Sequence, residues 1–194
     1  MQDTKIVAIT GSIGMGKSTV CDLVRLKGYS VYDCDKIVHK LYQEPNVLLK
    51  VCNLFPSVYQ DGIISRKILG DIVFNDPEKK QMLEDLIFPF VKEEIINIKN
   101  NSCDNIIFFE VPLLYESNMA DLFNYVIVVY CDEEKQIKRI INRNNISYNE
   151  AKKRISLQMD ISEKIKLSDF TISNNDNNLN KLKEDIDNII NQII

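Results

Sequence analysis

Ile6-Val7-Ala8-Ile9-Thr10-Gly11-Ser12-Ile13-Gly14-Met15-Gly16-Lys17-Ser18-Thr19 decides the fold. Its first four residues form a short apolar run bounded by Lys5 and a glycine turn, the pattern of a strand buried on both faces of a parallel sheet. Gly11–Ser18 then matches G-x-x-x-x-G-K-[ST], the phosphate-binding loop. Glycines let the backbone curl until its N–H groups converge on phosphate oxygens, and the helix that follows adds a partial positive charge at its N-terminus. In such a loop Lys17 reaches the β- and γ-phosphates, and the Ser18 hydroxyl ligates Mg²⁺. Only six glycines occur in the chain and three lie here, between an apolar run and a helical pattern, which is the context the motif requires. The motif implies ATP or another nucleoside triphosphate with Mg²⁺, without saying what is done with it.

Outward from the loop, similar apolar runs recur at Ile106–Val111 and Val126–Tyr130, with weaker ones at Ser30–Tyr32 and Phe170–Ser173. Helical spacing lies between them. Val20, Leu23 and Val24 stop at Gly28, Ile137, Ile140 and Ile141 follow the fourth strand, and Leu179, Leu182, Ile186, Ile189 and Ile193 close the chain. Alternating strand and helix predicts βαβ units, hence a three-layer α/β/α fold around five parallel strands. The about seventy residues between Asp33 and Asn105 far exceed one crossover. They carry an Asp61-Gly62 turn, an Asp76-Pro77 helix start and a helical stripe at Leu83, Leu86, Ile87, Val91 and Ile95. The reading is therefore a single domain: a core of 1–35, 105–142 and 167–194, a helical insertion over about 36–104 that binds the acceptor, and a charged lid over about 143–166. The Asn-rich stretch Asn174–Asn178 is expected to be a loop.

Composition narrows the class. A net charge of −4 argues against a general nucleic-acid binder. Five cysteines at irregular spacing suggest neither a disulfide framework nor a zinc site. No apolar stretch approaches the ~18 residues needed to span a bilayer, and Lys5 and Gly11 interrupt any N-terminal signal, so a cytoplasmic protein with no membrane partner is expected. Oligomeric state is not legible.

A guanine-nucleotide switch needs Asp-x-x-Gly after the third strand, which occurs nowhere, and Asn180-Lys181-Leu182-Lys183 lacks the acid of a base-reading motif. A kinase instead needs a carboxylate facing the acceptor, cations over the transferring phosphate, and exclusion of water. Asp33 and Asp35 end the second strand, where ligands of open parallel sheets bind, and either can orient an acceptor hydroxyl. Asp35 can equally cap the next helix. Lys135, Lys138, Arg139, Arg143, Lys152, Lys153, Arg154, Lys164 and Lys166 face only Glu150, Asp160 and Glu163 in their own stretch. A basic flap over ATP is the expectation, with Arg143 its foremost member. Glu110 resembles a strand-end acid that holds Mg²⁺ through water.

With these residues in view, the chain resembles the dephospho-CoA kinases nearly end to end. Thr10–Thr19 is similar to that family's T-G-G-I-G-S-G-K-S-T, and Asp33-Cys34-Asp35-Lys36-Ile37-Val38-His39 to its D-A-D-x-I-A with Arg or His. Asp61–Arg66 parallels D-G-x-L-D-R, and Pro112-Leu113-Leu114-Tyr115-Glu116 parallels P-L-L-F-E. Gln136, Arg139 and Arg143 match Q-x-x-R-x-x-x-R, Arg154 and Gln158 the lid's R-x-x-x-Q, and Asn174 the Asn after the last strand. The resemblance implies MgATP-dependent phosphorylation of the ribose 3′-hydroxyl of dephospho-CoA, the last step of coenzyme A synthesis. It implies roles as well. Asp33 and Asp35 hold the base, with the family leaning to Asp35, and Lys17 and Arg143 stabilise the transferring group. Ser12, Ile13, Gly14, Met15, Gly16, Ser18 and Thr19 hold ATP, with Asn174 near the adenine. Asp33, His39, Arg66, Pro112, Leu113, Leu114 and Arg139 contact the acceptor. Ser65 and Phe88-Pro89 depart from the family's Asp and His-Pro, and Met15 replaces a small residue in a position expected to offer only its backbone. The alternative within the class, an adenylate-kinase-like enzyme acting on another small molecule, would show G-x-P-G-x-G-K-G-T in place of Gly11–Thr19.

Overall fold

The computed structural model describes residues 4–176 and 178–194. Its contacts divide into two compact units: one runs to Tyr32 and resumes over Cys103–Ile194, and the other is Asp33–Ser102.

The first unit is built on β1 (Lys5–Thr10), β2 (Ser30–Asp33, whose last residue belongs to the other unit), and, later in the chain, three more strands. Numbering in chain order leaves β3 and β4 to the second unit, so these are β5 (Ile106–Glu110), β6 (Tyr125–Tyr130) and β7 (Phe170–Ser173). Together they form a five-stranded parallel sheet in the order β2-β5-β1-β6-β7. The register sets Ile9 opposite Glu110, Thr10 opposite Val128 and Tyr130 opposite Ser173, so the carboxyl ends of these strands share one edge. Apolar continuity in β1 follows from burial on both faces: Ile6, Val7, Ala8 and Ile9 are all buried. Val7 and Ile9 join a core with Val20, Val24, Leu182, Ile186 and Ile190 from α1 (Lys17–Leu26) and α9 (Leu179–Ile193), which pack together on that face. Leu179, expected in that stripe, is exposed because it opens the helix beside its Asn178 cap. Asn177, inside the expected Asn-rich loop, lies outside the described residues. Three further helices, α6 (Glu133–Asn144), α7 (Tyr148–Ser156) and α8 (Ile161–Lys166), occupy the charged stretch, and α8 packs against β6. The layers are α/β/α.

The second unit comprises α2 (Cys34–Leu41), α3 (Pro45–Leu54), a hairpin of β3 (Tyr59–Gln60) and β4 (Ile63–Ile64), α4 (Arg66–Asn75) and α5 (Pro77–Asn101). Asp61 and Gly62 both take positive φ, the conformation a two-residue hairpin turn demands. Asp76 caps α5 by accepting from the Glu78 and Lys79 N–H groups, with Pro77 in the first turn. Buried Leu83, Ile87, Val91 and Ile95 face α2, α3 and α4, while Leu86 stays half-exposed.

Candidate active site

The phosphate loop follows β1 directly, and its shape rests on side chains from far along the chain. Gly16 precedes α1 at φ 91° and offers no side-chain cap, so the first N–H groups of that helix keep no protein acceptor within it. Gly16 is tightly enclosed: a Cβ there would sit 2.0 Å from Asn174 Nδ2 and would displace that side chain. Gly11 is still more constrained, since its Cβ would lie 2.2 Å from the Val129 carbonyl oxygen of the neighbouring strand. Asn174, just past β7 and 3% exposed, donates from Nδ2 to the Met15 carbonyl, and its own backbone N–H donates to Tyr130 O. Its Oδ1 is buried and has no hydrogen-bond partner among the described residues. Arg139 donates to Met15 O at 3.4 Å and to Asn174 O at 2.8 Å. Gln136 Nε2 donates to Ile13 O, and the Ile13 N–H donates to Gln158 Oε1, both at 2.8 Å.

Lys17 is buried and turned into its own loop, donating to Gly11 O at 2.9 Å and Ser12 O at 3.3 Å. Ser12 is buried, while Ser18 is exposed and Ile13, Gly14 and Thr19 are half-exposed. Met15 corrects an expectation. Its side chain does more than follow its backbone: it is 1% exposed, and its sulfur accepts from the Cys131 N–H and meets the Cys131 thiol at 3.5 Å. A cleft of about 660 Å³ opens beside the loop, lined by Ser12, Met15, Gln136, Lys152 and Gln158 among others. Glu110, the last residue of β5, hydrogen-bonds the Cys21 thiol. Burial first, then the Glu110 charge, push that thiol well above its ordinary range.

The lysines of the expected basic flap are largely answered by acids, some within a helical turn and some from distant elements. Lys135 meets Asp132 and Asp176 at 3.7 Å each, Lys152 pairs with Glu133, and Lys166 pairs with Glu163 at 2.7 Å. Lys164 is fully buried and cannot cover a phosphate at all. Its ammonium reaches Glu116 at 2.8 Å and the Pro112 carbonyl at 3.4 Å, while Glu116 also accepts from the Met159 N–H. Arg143, on the last turn of α6, is exposed and donates from Nε to Asn144. Pro112 and Leu113 are half-exposed, but Leu114 is wholly buried, so its side chain lines no ligand site in this conformation. The stretch is a run of turns pinned by Ser117, whose hydroxyl donates to Leu113 O.

In the second unit, Asp33 rather than Asp35 is the helix cap. The strand stops at Asp33 and α2 begins at Cys34, and Asp33 Oδ1 accepts from the Asp35 N–H at 2.9 Å and the Lys36 N–H at 3.2 Å. Asp35 lies exposed in the first turn. His39 and Arg66 line one cleft of about 290 Å³ together with Tyr42 and the hairpin. Burial pushes the Tyr42 hydroxyl up to about 12, against the opposing pull of the Arg66 charge. Sequence reasoning did not anticipate Tyr42, the Glu116–Lys164 pair, or the use that Gln136 and Gln158 make of their amides. Side-chain bonds to distant backbone leave no periodic trace.

Among the described residues no cluster of three or more acids, thiols or imidazoles is arranged to hold a metal, and no helix is long and apolar enough to cross a membrane.

Comparison with known proteins agrees with this architecture. A sequence model described as dephospho-CoA kinase matches residues 5–180. The chain is 35% identical to a Listeria innocua dephospho-CoA kinase over 178 residues, 89% of each chain. It is 38% identical to one from Fusobacterium nucleatum over 174 residues, 89% of this chain and 90% of the other. A solved Thermus thermophilus protein superposes with a TM-score of 0.86 at 29% identity, covering 98% of both chains. The dephospho-CoA kinase from Campylobacter jejuni superposes with a TM-score of 0.69 at 33% identity, over 97% of this chain and 96% of that one. A shikimate kinase from Acinetobacter baumannii, at 16% identity and a TM-score of 0.61, shares the fold alone. A phosphate loop braced from four distant points, set in a five-stranded parallel sheet and matched over nearly its whole length, leaves one conclusion: the chain belongs to the dephospho-CoA kinase family.

Proposed function

We propose that the chain transfers the γ-phosphoryl group of ATP to the ribose 3′-hydroxyl of dephospho-CoA, giving coenzyme A and ADP. The observation that carries this reading is the braced phosphate loop in a chain of that family. On binding of the triphosphate, Lys17 exchanges the carbonyls of Gly11 and Ser12 for the β- and γ-phosphate oxygens. The loop N–H groups and the uncapped start of α1 receive the remaining charge. The Ser18 hydroxyl, exposed at that helix start, suits Mg²⁺, which keeps most of its shell in water and phosphate oxygens and so needs no cage of carboxylates. When bound, Mg²⁺ neutralises charge on the β- and γ-phosphates. Asn174 Oδ1, buried beside Gly16 without a donor, suits the 6-amino group of adenine and supports a preference for ATP over GTP.

On the acceptor side, Asp35 orients the hydroxyl and accepts its proton, while Asp33 holds the turn from which Asp35 projects. Arg143 neutralises charge on the transferring group, and its lack of burial leaves it free to move there. His39, Arg66, Pro112 and Leu113 contact the acceptor, with Arg139 acting from the loop side.

An ADP-release assay with MgATP tests this, offering dephospho-CoA, AMP, CMP and shikimate in parallel with Lys17→Ala as the blank. Turnover with dephospho-CoA alone is expected. Turnover with a nucleoside monophosphate instead would sink the substrate assignment. In the same assay Asp35→Asn should lose at least about a hundredfold in kcat. Asp33→Asn should lose far less, because Asn caps a helix as well as Asp does. The reverse order would exchange the two roles.

A further inference from the structure

Ile13 is gripped by the α6–α8 segment through every group it has. Its N–H donates to Gln158 Oε1 and its carbonyl accepts from Gln136 Nε2, both at 2.8 Å. Its side chain packs against buried Ile137, Ile140 and Ala151 of α6 and α7. The next residue confirms how closely α6 approaches, for a Cβ on Gly14 would lie 2.8 Å from Ile140 Cγ1 and 3.0 Å from the Gln136 carbonyl. Gln136 is itself 2% exposed, so its amide has no water to fall back on. The backbone partners also fix both amide orientations, since an N–H requires oxygen opposite it and a carbonyl requires nitrogen.

Ile13 comes just before the loop residues whose N–H groups cradle phosphate, so the plane of its peptide sets where those groups point. We infer that Gln136 and Gln158 are positioning residues for nucleotide binding: together they lock the Ile13 peptide and make the shape of the phosphate loop depend on the seating of α7 and the turn after it. Neither side chain needs to touch the nucleotide. This rests on the loop being the ATP site and not on the identity of the acceptor.

The test uses Gln158→Met and Gln136→Met, which keep length and remove the amide, with Gln158→Glu as the rescue because a carboxylate accepts the same N–H. MgATP affinity is read by calorimetry, Ile13 amide exchange in the nucleotide-free protein, and Tm by a thermal scan. For Gln158→Met we expect exchange at Ile13 to rise and affinity to weaken by about tenfold each, the effect of one well-made hydrogen bond. Tm should stay within about 2 °C, because Gln158 is half-exposed. Gln158→Glu should restore slow exchange, whereas Gln136→Met should weaken affinity and also lower Tm. Wild-type affinity and exchange in Gln158→Met would overturn the inference, as would a lowered Tm with affinity unchanged. A wild-type chain that binds no ATP would sink the reading of the loop itself, which is a different failure.

Discussion

The phosphate loop and the charged segment from Glu133 to Lys166 lie side by side, yet their polar groups are engaged in different ways. The loop is held by side chains reaching its backbone: Gln136, Gln158, Arg139 and Asn174 each bond a peptide group of Ile13 or Met15. The segment's lysines are instead answered by side chains, as in Lys152 with Glu133 and Lys166 with Glu163, while α6 and α7 share a small apolar core of Ile137, Ile140 and Ala151. Bonds to backbone fix a shape. Exposed ion pairs fix little, because water competes for both partners and long side chains lose entropy in pairing. Three of the loop's braces, Gln136, Arg139 and Gln158, come from that same segment, so the two regions are tied through backbone bonds and not through the ion pairs. An exception among the described residues is the pair of Lys164 with Glu116, which has a fully buried ammonium and anchors the base of the segment.

The sharpest way to break this comparison is Gly11→Ala. Its Cβ meets a strand carbonyl at 2.2 Å, an overlap that only a shift of β6 could relieve. A loss of about 4 kcal/mol or more in urea unfolding is expected. Gly16→Ala should cost less, because its neighbour is the tip of the Asn174 side chain, and should show chiefly as weaker ATP binding. Next in size is Lys164→Met. Removing one member of a buried pair strands the other, although Glu116 keeps the Met159 N–H and about a fifth of its exposure. A cost near 3 kcal/mol is expected, with Lys164→Met/Glu116→Leu recovering most of it. If the single variant is neutral, the segment has no anchor and the exception disappears. By contrast, Lys152→Ala should change stability by less than about 0.5 kcal/mol, and a larger loss would mean that the exposed pairs do fix the segment.

A separate effect concerns alkaline pH. Burial raises the Cys21 and Cys131 thiols in the folded protein, and raises the Tyr42 and Tyr115 hydroxyls to about 12 each. The unfolded chain therefore releases these protons at lower pH than the folded one. Stability should hold below about pH 9 and decline above it, first through the thiols and then through the tyrosines. Urea midpoints measured from pH 7 to 11 should fall over the upper half of that range, and a flat profile would contradict the burial of these groups.

The same contrast explains what could be read from sequence. Local devices were legible because their cause lies within a few residues: the apolar run before Gly11, the Asp61-Gly62 turn, the Asp76-Pro77 cap, and the stripe from Leu83 to Ile95. The charged segment was legible only as a charge count. Asp176 and Glu116 balance its lysines from outside it, Glu133 answers Lys152 from a different helix, and no spacing announces a partner 48 residues away. The helix cap at the second strand was misplaced by two residues for a related reason. Asp33 and Asp35 carry the same chemistry, and only the point where the strand ends decides between them.

The long reach of the loop's braces also bears on how the protein is made. Gly11–Gly16 leaves the ribosome well before Asn174, which fills the space beside Gly16 and lies 159 residues beyond Met15. At about 5–20 residues per second of synthesis, roughly 8–30 s separate the two. Throughout that interval the nascent chain carries the whole motif without its full set of braces, since Gln136, Arg139 and Gln158 also emerge late. The fully braced loop therefore exists only once Asn174 has emerged, and a chain ended before that residue has the sequence of the loop without its complete support.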